Sequence, residues 1–193
     1  MLNLDQTKSE TSAEYVVLVN EDNEPLGQAL KSQVHASDTP LHRAFSSFLF
    51  NSRGELLLQQ RSGGKKTWPL IWSNSCCGHP APGEGTEDAA HRRIQQELGL
   101  KVTRLWNILP DFRYRAELYG IVENEICPVF VGFVDEEPVV NHDEIETIRW
   151  VPWEQFQREA AAPDSKFSAW CIEETRLLAE NAEFQQLLRE HTA

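Results

Sequence analysis

Short apolar stretches bounded by turn residues recur along the chain and predict a structure rich in β-strands. Residues 15–19 are mostly β-branched and are followed by turn residues, which predicts an opening hairpin whose second strand ends near Lys31. Residues 45–50 and 55–61 flank a further turn and predict a second hairpin. More strands are predicted at 70–77, 102–109, 112–116, 126–134 and 145–151. The middle of the chain is therefore predicted to form a mixed sheet.

Apolar residues at helical spacing predict helices in the second half of the chain. The clearest helix covers residues 86–98, where acidic residues open the first turn and Gly99 follows the last one. A short helix is predicted at 152–160, and a helical stripe continues after Pro163. Together with the strands, these helices predict an α/β (α+β) fold in which helices enclose a mixed sheet.

The size of the chain, 193 residues, favours a single domain. Residues 1–13 are polar, contain no apolar signal-peptide core, and predict a flexible leader before a domain at 14–193. The apolar runs are far shorter than the ~18 residues that a membrane-spanning helix needs. We therefore expect a soluble protein without a targeting segment.

The net charge and the cysteine content indicate which partners the protein can bind and which cellular compartment suits it. A net charge of -12 argues against nucleic acid or an anionic membrane as partner, because both attract clustered Lys and Arg. An anionic small substrate would need a local basic pocket. Cys76 and Cys77 are adjacent, and only Cys127 and Cys171 remain, so the chain lacks a disulfide framework. A reducing cytoplasm fits this usage.

Two thiols and an imidazole fall within the seven residues from Asn74 to Pro80. A cysteine thiolate is a nucleophile or a base, and Gly78 lets the backbone approach a ligand closely. The plainer interpretation is that Cys77 is a small buried apolar residue, which is the common role of a free cysteine. A cysteine two residues from a metal-binding histidine, His79, would have a chemical role.

Three histidines and two carboxylates are candidates for a metal site. His35 and His42 lie in a proline-containing segment that predicts an ordered loop, and Glu123 and Glu125 are two apart in a predicted strand, so they share a face. Each could instead be an ordinary surface or structural residue. Together with His79 they form a five-ligand set suited to Mg²⁺, Mn²⁺ or Zn²⁺.

Basic residues are candidates for an anion pocket in this acidic protein. Arg61, Lys65 and Lys66 lie on or near a Gly/Lys loop, and Lys31 and Arg93 lie elsewhere in the sequence. Taken singly, each could be an ordinary surface cation. Converging on one place, they would bind a phosphate group.

A longer motif begins at Gly78. Gly78, Glu84 and the run 92–100 resemble the Nudix box, which binds diphosphate-bound metal through helical acids. Two acids of the box are replaced here by Arg93 and Gln96. Hydrolysis through a cluster of acids and several metals is therefore disfavoured, and Glu97 remains to hold one Mg²⁺ against a diphosphate.

Several motifs occurring in order indicate a family. The stretches 77–80, 111–115 and 123–125, with the altered box, resemble the type I isopentenyl-diphosphate isomerases of the Nudix superfamily. The resemblance runs from the first hairpin to Trp170 and implies a Nudix-like core at about 41–175, with extra N-terminal strands and a C-terminal helix. It implies interconversion of isopentenyl and dimethylallyl diphosphates by protonation and deprotonation through a tertiary carbocation.

The resemblance also implies residue roles. Glu125 with Tyr114 would transfer a proton on one side of the substrate, and Cys77 on the other, while Trp170 would face the carbocation. The substrate-binding residues would be Lys31, Arg61, Lys65, Arg93 and Trp170. One divalent ion, Mn²⁺, Mg²⁺ or Zn²⁺, would be bound by His35, His42, His79, Glu123 and Glu125. A Mg²⁺ carrying the diphosphate would be bound by Glu97 and the backbone carbonyl of Cys77.

Two other function classes remain open on the sequence. A Nudix-type hydrolase of diphosphates would release phosphate, and a regulatory domain would bind diphosphates without turnover. No Gly-rich dinucleotide fingerprint occurs, so flavin is not expected. We further expect a monomer or a weak homodimer that binds a prenyl diphosphate as its small-molecule substrate.

Overall fold

The computed structural model describes residues 13–192, so the predicted leader lies outside the described residues except for Ala13. The described chain contains twelve strands and five helices. The strands are β1 (Tyr15–Val19), β2 (Pro25–Leu30), β3 (His42–Arg43), β4 (Phe45–Phe50), β5 (Glu55–Arg61), β6 (Trp72–Ser73), β7 (Cys76–Gly78), β8 (Leu105–Leu109), β9 (Arg113–Leu118), β10 (Ile121–Ile126), β11 (Val129–Phe133) and β12 (Ile145–Pro152). The helices are α1 (Lys31–Val34), α2 (Thr86–Leu98), α3 (Trp153–Ala160), α4 (Ala169–Glu180) and α5 (Ala182–His191).

The strands form two mixed sheets. The first has the order β2-β1-β3-β10-β9, and the second has the order β12-β5-β4-β11-β8, with β6 beside β5 and β7 beside β4. Each sheet contains one parallel pair, β3 with β10 and β4 with β11, among antiparallel neighbours. The predicted mixed-sheet fold is confirmed, although the number of sheets is two.

Helices cover both faces of the second sheet, which explains why β4 is buried along its whole length. Side chains of a strand alternate between faces. Phe48 and Phe50 pack into a cluster with residues of α3, α4 and α5, whereas Phe45 and Leu49 pack into a second cluster with α2. The two clusters place α2 and α4 on opposite sides of β4 and its neighbour β7.

Gly99 ends α2 because the chain there needs a left-handed conformation. Its φ is +67°, and its backbone N–H donates to the carbonyl of Gln95 over 3.1 Å. A Cβ at this position would lie 2.9 Å from the Cβ of Val139. The predicted helix 86–98 is confirmed with these bounds.

The predicted strand 70–77 is wrong in its start and its continuity: strand structure begins at Trp72 and is interrupted at Asn74 and Ser75. The hydroxyl of Ser75 donates to the carbonyl of Leu57 over 2.6 Å and accepts the N–H of Leu49 over 2.8 Å. The Asn74 side chain donates to the carbonyl of Ser47 over 3.1 Å. At the two residues between β6 and β7, side-chain hydrogen bonds thus take the place of backbone pairing with a neighbouring strand.

Three other predicted segments differ in their bounds. The predicted strand 126–134 begins only with β11, because Pro128 separates it from β10. The predicted loop holding His35 and His42 is wrong for His42, which lies in β3, while His35 directly follows α1. The C-terminal stripe is two helices, with Asn181 capping α5 through the N–H of Phe184. None of the helices in residues 13–192 has the length and apolar character needed to cross a membrane.

Candidate active site

The parallel pairing of β3 with β10 sets His42 directly beside Glu125. Because side chains two apart in a strand share a face, Glu123 points to the same side as Glu125. Both carboxylates are only 5% exposed, which excludes the alternative of a solvated polar face. Two acids held this close in a buried position call for a positive charge between or beside them.

His35 and His79 complete this cluster from two other parts of the fold. His35 follows α1 and His79 follows β7, which belongs to the second sheet. One ligand atom from each of His35, His42, His79 and Glu125 lies within 4.8 Å of the others. The ring centroids of the three histidines are separated by 5.1 to 5.6 Å. Three parts of the sequence, 35–42, 79 and 123–125, therefore meet at one point.

Buried polar atoms in the cluster lack the hydrogen bonds that would otherwise satisfy them. Nε2 of His35 lies 2.9 Å from Oε2 of Glu123, yet neither atom makes a hydrogen bond of good geometry. Nε2 of His42, 3.3 Å from Oε1 of Glu125, is also without one. Unsatisfied buried polar atoms are costly, and imidazole nitrogen with carboxylate oxygen is a donor set for divalent metals. The residues present therefore fit a metal ion.

The electrostatics of the cluster are dominated by Glu125. Burial alone would raise its pKa, but the hydrogen bonds and charges of His42 and His79 hold the pKa of this carboxyl well below its usual range. Burial lowers the pKa of His79 to about 4 against the opposing effect of Glu125. For His42, burial is outweighed by Glu125, and its pKa is raised. The carboxylate of Glu125 is thus strongly favoured in its ionised form.

Tyr114 approaches the same carboxylate from β9. Its hydroxyl donates to Oε2 of Glu125 over 2.7 Å. Burial, together with the charge of Glu125, raises the pKa of Tyr114 well above its usual value, so the phenol remains protonated. Its ring lies 5.5 Å from that of Trp170. Tyr114 can therefore pass a hydrogen-bonded proton to or from Glu125.

Cys77 faces the site from the second sheet, and Cys76 does not. The two side chains point to opposite faces of β7, so Cys76 is fully buried in the cluster beside α2, whereas Cys77 is half-buried and packs toward α4. The Cys77 thiol donates to Oδ1 of Asn74 over 3.1 Å and lies 3.6 Å from Oγ of Ser46. Burial, with a contribution from Glu174, raises the pKa of Cys77 to about 12.

A cavity of about 450 Å³ joins these groups. Cys77, Tyr114, Glu125 and Trp170 all line it. Trp170 is fixed by a hydrogen bond from its Nε1 to Oδ1 of Asn74 over 3.3 Å. An indole that is 3% exposed and held in one orientation presents a defined π surface to a bound molecule.

The predicted cations line the same cavity. Lys31, Arg61, Lys65 and Arg93 are all on its wall. Arg61 is held by the loop it supports, because its Nη2 donates to the carbonyl of Thr67 over 3.0 Å. Lys66 lies on the same wall, so the fold brings together all five basic residues that the sequence indicates.

Two carboxylates of the cavity wall neutralise three of these cations. Glu14 pairs with Lys31 at 2.6 Å, and Glu144 pairs with Lys65 and with Arg93, the latter at 3.2 Å. Burial would raise the pKa of Glu144, but Lys65 and Arg93 lower it to about 2. Their charges therefore keep Glu144 ionised at neutral pH.

Glu97 lies one helical turn after Arg93 on α2. It is 2% exposed and accepts a hydrogen bond from Nε of Arg93 over 2.9 Å. Neither Glu97 nor His42, which is also buried, forms part of the cavity wall. The remaining acid of the altered Nudix box is thus paired with the arginine that replaces another of its acids.

The box residues Glu84 and Arg92 have a positioning role. Nε of Arg92 donates to Oε1 of Glu84 over 2.7 Å, and Nη2 donates to the carbonyl of His79 over 3.3 Å. This pair ties the segment after β7 to α2. The hydrogen bond to its carbonyl thereby holds the backbone of His79 in place.

Several residues of the site were missed by the sequence reasoning. Asn74 accepts hydrogen bonds from both Cys77 and Trp170, and its position inside the stretch 74–80 was the only signal. Glu14 and Glu144 lie in acidic segments without any distinguishing pattern. Glu174 is a fully buried carboxyl inside the apolar stripe of α4, which is the signal that could have identified it.

Comparison with known proteins identifies the fold and the family. Residues 40–171 match the NUDIX domain family. The Isopentenyl-diphosphate Delta-isomerase of Saccharopolyspora erythraea is 49% identical over 168 residues, covering 86% of this chain and 87% of that protein. The Isopentenyl-diphosphate Delta-isomerase of Citrobacter koseri is 44% identical over 181 residues, covering 93% and 98%.

Solved structures show the same architecture at lower identity. DR0079 from Deinococcus radiodurans superimposes with a TM-score of 0.67 at 24% identity, covering 85% of this chain and 98% of that one. The MutT protein from Methanosarcina mazei Go1 has a TM-score of 0.61 at 20% identity, covering 73% and 94%. At these identities the likeness shows a shared fold.

Proposed function

The chain belongs to the isopentenyl-diphosphate Delta-isomerase family, and from this membership we infer that it interconverts isopentenyl and dimethylallyl diphosphates in the cavity described above. It is an isomerase with a NUDIX domain, as the sequence predicts. The substrate we propose is a prenyl diphosphate, and the four free cysteines suit the reducing cytoplasm that the sequence favours.

One observation supports the residue roles most directly: the candidate proton-transfer groups line one cavity from two different sheets. Tyr114 and Glu125 belong to the first sheet and Cys77 to the second. A 1,3-allylic shift adds a proton to one carbon of the substrate and removes a proton from another. Groups on two walls of the cavity are suited to act on the two carbons.

We propose that Glu125 with Tyr114 and Cys77 exchange roles with the direction of the reaction. In the direction that matches the protonation states of these groups, the Cys77 thiol adds its proton to the double bond, which leaves a tertiary carbocation and a thiolate. The Glu125 carboxylate, hydrogen-bonded to Tyr114, then removes a proton from the carbon on the other side, and the electrons of that C–H bond form the new double bond. One proton is gained and one is lost, so the formula of the substrate is unchanged.

Trp170 is proposed to stabilise the carbocation. Its indole lines the cavity and its position is fixed by Asn74. A cation over an indole in a desolvated site gains about 2 kcal/mol. The surrounding aromatic side chains also exclude water, which would otherwise capture the cation.

The diphosphate is proposed to bind at the cationic end of the cavity, through Lys31, Arg61, Lys65 and Arg93. A Mg²⁺ would be held there by Glu97 and the carbonyl of Cys77, and a further divalent ion, Mn²⁺, Mg²⁺ or Zn²⁺, by His35, His42, His79, Glu123 and Glu125. When bound, such ions supply positive charge that neutralises the diphosphate and the paired carboxylates. The protein residues fix where that charge lies.

The decisive experiment is NMR of the purified protein with isopentenyl diphosphate and Mg²⁺ in deuterated water. We expect dimethylallyl diphosphate to appear with deuterium on carbon. Release of inorganic phosphate would instead support a diphosphate hydrolase. An unchanged substrate with shifted or broadened signals would support a binding domain without turnover.

Replacement of the two neighbouring cysteines separates their roles. We expect Cys77→Ala to abolish isomerisation while the protein remains folded, because the variant lacks the thiol that faces the Glu125–Tyr114 pair from the second sheet. We expect Cys76→Ala to retain activity, since its side chain packs beside α2 on the other face of β7. Turnover by the Cys77→Ala variant at the wild-type rate would contradict the proposal, and loss of activity only in Cys76→Ala would reverse the assignment.

A further inference from the structure

Glu174 is a carboxyl in a place where an apolar side chain would be expected. It lies one turn after Trp170 on α4, in the buried stripe that continues to Leu178. It has no exposed surface, and neither of its oxygens makes a hydrogen bond of good geometry within the described residues. A buried carboxyl without a partner destabilises a fold, so its presence calls for another explanation.

Ser46 connects this carboxyl to Cys77. Ser46 is two residues from Phe48 and four from Phe50 in β4, so the three side chains share a face of the strand. This is the face that α4 covers. Ser46 is paired directly with Cys77 in the antiparallel register of β4 and β7, and Oγ of Ser46 lies 3.6 Å from the Cys77 thiol and 3.6 Å from the thiol of Cys127, the residue after β10. The hydroxyl of Ser46 thus lies on the side of β4 that faces Glu174, and it lowers the pKa of the Glu174 carboxyl against the effect of burial.

The protonation state of Glu174 follows from its surroundings. Burial, and to a lesser extent the charges of Glu125 and Glu173, raise the pKa of Glu174 well above its usual range. Burial therefore favours the protonated carboxyl, which has one hydrogen to donate. Ser46 has one hydroxyl hydrogen, so it can donate to either Glu174 or a thiol, but not to both.

We propose that Glu174 is a positioning residue for Cys77 and acts through the hydroxyl of Ser46. The protonated carboxyl donates its hydrogen bond to Oγ of Ser46, which leaves the hydroxyl hydrogen of Ser46 free to point at the Cys77 sulfur. An ionised carboxylate would instead attract that hydrogen and remove it from Cys77. The inference rests on the proposed role of Cys77 as the proton-exchanging group.

The test compares Glu174→Leu with Glu174→Gln. The amide of Gln still donates to Ser46, whereas Leu does not, so we expect Glu174→Leu to lower kcat about ten-fold and Glu174→Gln less than about three-fold. KM should change less than about two-fold in both, because Glu174 does not line the cavity that binds the diphosphate. Glu173→Gln, at an exposed position on the same helix, is the matched control and should match the wild type.

A double-mutant cycle with Ser46→Ala distinguishes positioning from packing. If Glu174 acts through Ser46, Glu174→Leu should cause no further loss of kcat in the Ser46→Ala background. The same cycle is run with Glu174→Met, so that the result does not depend on a single variant folding. Additive losses, equal losses in the Leu and Gln variants, or wild-type kcat in Glu174→Leu would overturn the inference.

The outcome for Cys77→Ala keeps the two proposals apart. An inactive Cys77→Ala variant together with an unaffected Glu174→Leu variant overturns only the role of Glu174. An active Cys77→Ala variant overturns the role of Cys77, and with it the inference that depends on it.

Discussion

At the scale of single residues, Glu144 shows how strongly neighbouring charges act in this cavity. It is only one-quarter exposed, and two cations, Lys65 and Arg93, contact its carboxylate. Burial opposes its ionisation, yet the cations lower its pKa to about 2. The ionised form is therefore part of the folded structure, and protonation must weaken it.

The contribution of Glu144 to stability should depend on pH in a defined direction. Its folded pKa lies below its unfolded value of about 4.3, so the stabilisation is present above that value and is lost as the pH falls toward 2. We expect Glu144→Gln to lower the free energy of unfolding by about 2–3 kcal/mol at pH 7, and by much less near pH 2. Denaturant unfolding in the presence of chelator measures this difference.

Glu146→Gln is the matched control, because Glu146 is an exposed carboxylate on β12 close to Glu144 in sequence. The control should lose little stability at any pH. A destabilisation of Glu144→Gln that does not change between pH 7 and pH 2 would contradict the electrostatic explanation.

Residue identities at the site were predictable where a short motif carries the chemistry. Cys77 and His79 lie in one stretch, and Glu123 and Glu125 share a strand face, so spacing alone indicated candidates. Glu144 could not be found this way, because its partners Lys65 and Arg93 are brought to it by tertiary folding. Pairing across distant segments leaves no local pattern in the sequence.

At the scale of elements, the C-terminal end of α2 depends on the conformation of Gly99. We expect Gly99→Ala to lower the free energy of unfolding by about 1–3 kcal/mol, since the left-handed φ of +67° and the close approach of Val139 both oppose a Cβ. Gly83→Ala is the control, because Gly83 also has a positive φ, of +81°, but its Cβ would meet nothing within 4 Å.

Thermal and denaturant unfolding of the two glycine variants separate backbone strain from the clash with Val139. Gly83→Ala should lose only the strain contribution, and Gly99→Ala should lose more. Equal losses in the two variants would show that the contact with Val139 is unimportant.

The helix α4 contains a buried acid that should reduce stability at neutral pH. The folded pKa of Glu174 is raised by burial above its unfolded value of about 4.3, so stability is lost as the pH rises from that value toward the folded pKa. We therefore expect Glu174→Leu to unfold at a higher temperature than the wild type at pH 7, with a smaller gain at pH 4. Calorimetry at both pH values checks the direction, and Glu173→Gln should show no such pH-dependent gain.

The elements themselves were well predicted where hydrophobic periodicity and end signals agree, as in α2 and β4. The strand predicted at 70–77 was interrupted because Asn74 and Ser75 satisfy backbone groups of other strands with their side chains. Such side-chain pairing depends on which strand lies beside the segment. Sequence periodicity does not contain that information.

At the scale of the whole molecule, the histidine cluster joins the two sheets. His42 and Glu125 belong to the first sheet, and His79 follows a strand of the second. A ligand that binds only the folded state stabilises it by about 2.7 kcal/mol when present at one hundred times its Kd. We therefore expect chelation to lower the Tm by several degrees and addition of a divalent ion to restore it.

His79→Asn should remove most of this response, because it deletes the ligand that comes from the second sheet. His91→Asn is the matched control, since His91 lies on α2 away from the cluster, and it should respond as the wild type does. A Tm that chelation leaves unchanged in the wild type would contradict the proposed metal site.

The overall fold was predictable because motifs of a known family occur in order along the chain. The division of the strands into two sheets was not, because it depends on the parallel pairs β3 with β10 and β4 with β11. These pairs join segments about 80 residues apart, so contacts that are distant in sequence decide how the strands divide between the sheets. The position of the site where both sheets contribute residues follows from that topology.

The pairing of Lys31, Lys65 and Arg93 with Glu14 and Glu144 has a consequence for turnover. At these three cations the arriving diphosphate replaces a glutamate, and the glutamates can pair with the cations again as the diphosphate leaves. Built-in counter-ions of this kind limit affinity and hasten release. Because the substrate and the product carry the same diphosphate, fast release of the product matters as much as tight binding of the substrate.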